Sequence, residues 1–138
     1  MKRTLLVILL LAPNLAVAAT SGDRTAAALQ SCLDSPSNAA TSGQVDCEAA
    51  AAKRYDQRMN SAYTALLHAL PAKAAQQLQQ SQRAWLAFRD AEGTAASALF
   101  ATRQGTMYVP MQAGATTTIT RDRALQLENY LRIISIEN

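Results

Sequence analysis

Apolar residues recur every three or four positions along most of the chain, which is the spacing of one face of an α-helix. One such stripe predicts a helix over residues 45–70, a second follows Pro71, and a third lies near the C-terminus. No segment alternates convincingly with a period of two. The pattern therefore predicts an all-α fold, a small antiparallel bundle of three to four helices. The stripes comprise Cys47, Ala51, Tyr55, Met59, Ala62, Leu66 and Leu70, then Ala74, Leu78, Ser81, Trp85, Phe88, Ala95 and Leu99, then Ala124, Leu127, Leu131 and Ile134.

Turn-forming residues predict where these helices are interrupted. Residues 34–38 and 41–43 form one predicted loop, after a short helix that Asp23 or Ser21 would cap. Residues 103–114 form a second, and Thr116, Thr117 and Thr118 offer N-caps for a last helix. Gly93 is predicted to kink or divide the preceding helix, because an interior glycine costs about 1 kcal/mol.

The first 18 residues have the pattern of a secretory signal peptide. Lys2 and Arg3 precede an unbroken apolar run over residues 5–12, and residues 16–18 supply a small-x-small cleavage site. The run is shorter than the roughly 20 apolar residues that a membrane span needs. We expect cleavage after Ala18, which leaves residues 19–138 as a periplasmic or secreted domain without a membrane span.

Export also determines how the two cysteines are interpreted. An oxidising compartment favours a disulfide between Cys32 and Cys47, which would close a loop of about 16 residues and contribute roughly 3 kcal/mol. A metal site is a weaker alternative because His68 is the only histidine. A redox pair is also weaker, since the spacing differs from C-x-x-C. We therefore predict a structural disulfide, no metal site and no cofactor.

Charge and side-chain chemistry exclude several classes of function. The whole chain has 13 basic and 10 acidic residues, and losing Lys2 and Arg3 leaves 11 against 10, a net charge of about +1. This near-neutral domain lacks the basic stripe that a nucleic acid partner requires. His68 has no Ser, Cys or Asp at catalytic spacing, and Asp90 and Glu92 point in divergent directions on a helix. We predict that the protein is not an enzyme.

Three patches of sequence resemble a known family. Residues 59–63 (MNSAY) resemble L-N-x-x-Y, residues 82–90 (QRAWLAFRD) resemble Q-R-x-W-x-x-[FY]-R-D, and residues 120–127 (TRDRALQL) resemble T-x-x-R-A-x-x-L. In this order, after a signal peptide and a cysteine pair, they are similar to the secreted lysozyme inhibitor LprI-like family over about residues 29–131. The resemblance implies an all-helical, disulfide-stabilised envelope domain, and it implies a protein partner such as a lysozyme.

One departure from the family pattern concerns a second cysteine pair that members commonly carry. The corresponding places hold Gly93 and approximately Gly114 or Ala115. We therefore expect residues 103–114 to be less tethered here.

The family-signature residues are expected to be mainly structural. Trp85 is interpreted as a core anchor and Arg89 as bonded to a carboxylate or to helix-end carbonyls, while an exposed Arg89–Asp90 pair that engages a partner is the alternative. Asn60 and Tyr63 are expected to hydrogen-bond across a helix interface, with direct ligand contact as the alternative. His68 is interpreted as a surface or capping residue. The full signature set is Asn60, Tyr63, Gln82, Trp85, Phe88, Arg89, Asp90 and Arg123.

An apolar patch, Met107, Tyr108 and Met111 with Val109, lies inside the second predicted loop. It is interpreted as a lid over the core or as an exposed partner-binding surface. A soft-metal site that uses these methionines with Met59 is a third alternative.

The function predicted from these observations is a binding protein that blocks a muramidase by protein–protein contact. Lysozymes are usually strongly basic, so a near-neutral inhibitor gains little from electrostatic steering and must rely on shape and local contacts. The alternatives are a non-enzymatic envelope adaptor or stress-related helical module, and a soft-metal binder. The sequence makes no prediction of the oligomeric state.

Overall fold

The computed structural model describes residues 22–136, which fold into four α-helices joined by short connections. No strand occurs within this range, so the all-α prediction is confirmed. The predicted signal peptide lies outside the described residues. None of the described helices combines the length and apolar character needed to cross a membrane. The elements are α1 (Arg24–Leu33), a 3₁₀ turn (Pro36–Asn38), α2 (Thr41–Ala69), α3 (Ala72–Ala101) and α4 (Tyr108–Ile134).

The core lies between α2 and α4, which form the most extensive helix pair of the fold. The stripe predicted on α2 is buried as expected, and only Leu70 at its end is half-buried. α4 contributes Ala124 and Leu127, with Leu131 and Ile134 packed at the margin. Each fully buried large apolar side chain contributes about 1.5–3 kcal/mol. The buried core residues are Cys47, Ala51, Tyr55, Met59, Ala62, Leu66, Leu78, Ala124 and Leu127.

The short α1 is fixed at both ends. Asp23 caps it by accepting hydrogen bonds from the backbone N–H groups of Thr25 and Ala26 at 3.1 and 3.3 Å. At its other end Cys32 forms a disulfide with Cys47 of α2, with 5.8 Å between their Cα atoms. The predicted disulfide is therefore present, and it joins α1 to the first turns of α2.

The first connection is shorter than predicted, because α2 begins at Thr41 and includes residues 41–43. Gly43 is required because the first turn of α2 lies close to the 3₁₀ turn at this position. A Cβ at this position would lie 2.7 Å from the Cα of Asn38 in the 3₁₀ turn. This glycine therefore serves helix packing and does not mark a loop.

The second irregular segment also ends earlier than predicted. α4 begins at Tyr108, so only residues 102–107 are non-helical and the expected N-caps at Thr116–118 are wrong. Pro110 is compatible with the first turn, where its missing N–H has no intrahelical partner to lose. Thr117 instead donates from Oγ1 to the carbonyl oxygens of Ala113 and Glu48, at 3.1 and 3.2 Å.

α3 is the helix whose burial differs most from the prediction. α3 is continuous, so the expected break at Gly93 is absent. Leu78 and Gln82 are its buried residues, whereas Phe88 and Leu99 are 54% and 58% exposed. The difference arises from tertiary packing. Because α1 has only 10 residues and packs on α2, no described helix covers the part of α3 that carries Phe88 and Leu99.

Candidate binding surfaces

The buried side chain of Arg123 joins the sequence patch at residues 120–127 to the patch at residues 82–90. Its Nε donates to Gln82 Oε1 at 2.9 Å, its Nη2 to Ser81 Oγ at 3.2 Å and its Nη1 to Gln126 Oε1 at 2.6 Å. All three acceptors are neutral, and burial lowers the pKa of Arg123, with a smaller opposing contribution from Tyr130. The amide of Gln82 also lies 3.6 Å from Met59 Sδ in the core. This arrangement holds α3 against α2 and α4.

Trp85 lies beside this network under two guanidinium groups. The Cζ atoms of Arg123 and Arg89 are 5.9 and 5.5 Å from the centroid of its ring, within the range of cation–π attraction. Trp85 itself is half-buried and packs at the margin of the core. It is therefore an anchor at the edge of the core and not in its centre.

The remaining signature residues face solvent or act locally. Arg89 donates to Asp90 Oδ1 from Nη2 at 2.8 Å, and Asp90 is exposed, so this is a surface pair between sequence neighbours. Phe88 is exposed, which contradicts its expected place on a buried stripe. Asn60 does not bond across a helix interface: it is exposed and donates to Asp56 Oδ2 of its own helix at 3.0 Å. Tyr63 is half-buried against the core.

A second polar network, which the sequence analysis missed, surrounds Arg58. Its Nε and Nη2 donate to the two carboxylate oxygens of Glu128, both at 2.7 Å. Its Nη1 donates to Asp23 Oδ1 at 2.5 Å and to Thr25 Oγ1 at 3.0 Å, while the Tyr55 hydroxyl donates to Asp23 Oδ2 at 2.7 Å. Arg58 is separated by 35 and 70 residues from its two acidic partners, so no local spacing signals this network.

The protonation behaviour of this network follows from its contacts. Partial burial alone would raise the pKa of Asp23, but hydrogen bonds from Tyr55 and Arg58 outweigh it and leave this pKa below its usual 3.8. Burial, followed by the hydrogen bond to Asp23, raises the pKa of Tyr55 to about 12. The bonds to Glu128 outweigh burial and raise the pKa of Arg58. The network therefore holds α1, α2 and α4 together in fixed charge states at neutral pH.

A cavity of about 520 Å³ borders this network, between Asp23, Arg58, Glu128 and Arg132. Arg58 already uses Nε, Nη1 and Nη2 within the protein, so the cavity wall holds a satisfied ion pair. We assign the network to stability.

The α3–α4 apex, defined as residues 99–111, exposes a group of apolar side chains. Met107 is 63% exposed and Met111 52%, whereas Tyr108 is half-buried at the start of α4. Gln112 donates to Ser97 Oγ at 3.0 Å and links the two helices just behind the apex. The methionines therefore do not form a lid over the core. Leu99 and Val109 complete the exposed group.

Across residues 22–136, no three His, Cys, Asp or Glu side chains are grouped so that they could hold a metal ion. His68 is exposed near the end of α2. The exposed apolar side chains of the apex remain a candidate binding surface.

Comparison with known proteins places these features in a family context. A family model described as lysozyme inhibitor LprI matches residues 32–127. No curated protein sequence matches the chain. Among solved structures, an uncharacterised protein from Burkholderia thailandensis has 33% sequence identity and a TM-score of 0.76. That match covers 82% of this chain and 56% of the other, so the chain spans little more than half the length of this relative.

Proposed function

Because the chain belongs to the lysozyme inhibitor LprI family, we propose that it is an exported, non-enzymatic inhibitor that binds a lysozyme and blocks its substrate cleft. The family match runs from Cys32 in α1 to Leu127 in α4 and so includes both cysteines, the Arg123 network and the α3–α4 apex. A family of lysozyme inhibitors implies a protein partner.

The α3–α4 apex is the surface that supports this proposal. Leu99, Met107, Val109 and Met111 are each at least 50% exposed, and an exposed apolar group of this kind typically marks a protein interaction site. Methionine side chains adapt to a partner surface, because they are unbranched and polarisable.

The proposal is tested by following the clearing of a peptidoglycan suspension by several lysozyme classes in the presence of the purified protein. We expect clearing by at least one class to slow as the protein approaches a molar excess. Unchanged clearing across all classes at a large excess would contradict the inhibitor function. A pull-down from periplasmic extract would then examine the adaptor hypothesis.

A matched pair of double variants locates the contact. Met107→Gln with Met111→Gln makes the apex polar, and Ile133→Gln with Ile136→Gln makes the same change at exposed positions near the other end of α4. These sites are about 40 Å apart along the helix. We expect at least a tenfold loss of inhibition for the apex variant and little change for the control. Equal inhibition by both would exclude the apex as the contact surface.

A further inference from the structure

Glu48 is a half-buried acidic side chain, and one of its two carboxylate oxygens has no hydrogen-bond partner. Its Oε2 atom is shielded from solvent and has no hydrogen-bond donor, and no cation of residues 22–136 forms an ion pair with its carboxylate. Its backbone carbonyl, in contrast, accepts a hydrogen bond from Thr117 of α4. A shielded carboxylate oxygen without a donor costs free energy, so this carboxylate is a locally unfavourable feature of the fold.

Gly114 of α4 leaves the room that this carboxylate occupies. A Cβ at position 114 would lie 3.3 Å from Glu48 Oε1 and 3.6 Å from its Cδ. A glycine inside a helix itself costs about 1 kcal/mol relative to alanine. The glycine therefore gives the Glu48 carboxylate room between α2 and α4, at a cost in helix propensity.

Two clefts open beside this carboxylate, and Leu33, Glu48 and Gly114 line both of them. The larger, about 540 Å³, extends toward Met107 and Met111 at the α3–α4 apex. The smaller, about 310 Å³, extends along α1 and α4. Their walls combine an acidic group with apolar side chains, which suits a ligand that has an aliphatic stem and a cationic end.

We propose that the larger cleft receives an arginine or lysine side chain of the protein partner, with its cationic group bound by the Glu48 carboxylate. Met107 and Met111 contact the aliphatic stem. The only basic residue in the wall of either cleft is Arg121, which donates to Asp122 at 3.0 Å and forms no ion pair with Glu48. This inference rests on the proposed function for the identity of the partner.

The first experiment measures the affinity of a lysozyme for the wild-type protein and for Glu48→Gln. The amide keeps the shape of the side chain and removes its charge. The matched control is Asp46→Asn, which removes the same charge at an exposed position two residues away on α2. We expect Glu48→Gln to weaken binding at least tenfold, with little effect of Asp46→Asn. Equal affinities for Glu48→Gln and the wild type would overturn the proposal.

Thermal unfolding of the same variants separates binding from folding. Because no group of residues 22–136 donates to the buried oxygen, Glu48→Gln should melt at the same temperature as the wild type or higher. A clearly lower melting temperature would mean that the carboxylate stabilises the fold, which would also overturn the proposal.

A small probe tests the cleft without a lysozyme. Ethylguanidinium and butylammonium are titrated into the protein, and amide chemical shifts are followed by NMR with neutral butanol as the control. We expect the two cations to shift the amide resonances of residues 44–48 and 107–114 in the wild-type protein. The same cations should cause no such shifts in Glu48→Gln. No shifts in the wild type would overturn the cleft proposal. Shifts without binding of any lysozyme would instead contradict the proposed function and leave the cleft proposal supported.

Discussion

Arg123 on α4 donates to Gln82 on α3 across 2.9 Å, and the amide of Gln82 continues to the sulfur of Met59 on α2. These contacts cross all three long helices. Arg123 and Gln82 are both buried, with exposed fractions of 6% and 7%. A buried cation with neutral acceptors depends on every one of its hydrogen bonds, because no opposite charge compensates for its lost hydration.

We predict that Arg123→Met lowers the free energy of unfolding by about 2 kcal/mol or more, because it leaves the Gln82 side-chain oxygen buried without a donor. Urea unfolding followed by circular dichroism measures this change. Arg121→Met is the control, because its guanidinium pairs at the surface with the adjacent Asp122 and its loss should stay within about 0.5 kcal/mol. Similar losses for both variants would contradict the central role of Arg123.

The Asp23–Arg58 pair predicts how stability depends on acid. The pKa of Asp23 is lowered in the folded protein, so its contribution is fully present above about pH 4 and is lost as the pH falls through the folded pKa. Asp23→Asn keeps a helix-capping side chain and removes the charge. We expect this variant to be about 1–3 kcal/mol less stable at pH 7, and the difference to shrink toward pH 2.

Urea unfolding at a series of pH values measures this dependence. Asp122→Asn, at an exposed carboxylate, serves as the control and should differ little from the wild type at any pH. A constant difference between Asp23→Asn and the wild type from pH 7 to pH 2 would contradict the electrostatic explanation.

Removal of the Cys32–Cys47 disulfide should destabilise the protein by roughly 3 kcal/mol in the chain-entropy model. The double variant Cys32→Ala with Cys47→Ala, or reduction of the wild type, tests this by urea unfolding. Hydrogen exchange should accelerate most in α1, since the disulfide and the Arg58 network are what attach this short helix. Uniform acceleration across α3 as well would show that the disulfide stabilises the whole bundle.

The exposed face of α3 should tolerate polar substitution. Phe88→Gln and Leu99→Gln are expected to change the free energy of unfolding by less than about 0.5 kcal/mol, because both side chains are more than half exposed. Leu66→Ala, at a fully buried position of α2, should cost about 2–5 kcal/mol. A large loss of stability for Phe88→Gln would indicate that this side chain is buried, as the sequence pattern predicts.

Helical periodicity was sufficient to predict α2, because its stripe faces a partner helix along nearly its whole length. The same periodicity failed on α3, since a helix with an apolar stripe is buried only where another element covers it, and coverage is a tertiary property. The sequence predicts too late a start for α4, because proline and glycine are typical loop signals. Pro110 fits a first helical turn and Gly114 accommodates Glu48.

The candidate sites also divide into residues that the sequence identifies and residues that only the structure identifies. The motifs predict the cysteine pair and single out Gln82, Trp85 and Arg123 as signature residues, but they do not predict that these three lie together. The motifs do not single out Arg58 and Glu48, because their significance depends on residues distant in sequence: the acidic partners of Arg58, and Gly114 opposite Glu48.

The position of Trp85 gives the protein a built-in optical reporter. It is the only tryptophan in the chain, and its indole ring lies under the guanidinium groups of Arg89 and Arg123 where α3 meets α4. Its fluorescence emission therefore responds to the separation of these two helices. Opening of the hairpin, whether by denaturant or by a bound protein that contains no tryptophan, can be followed without any attached dye.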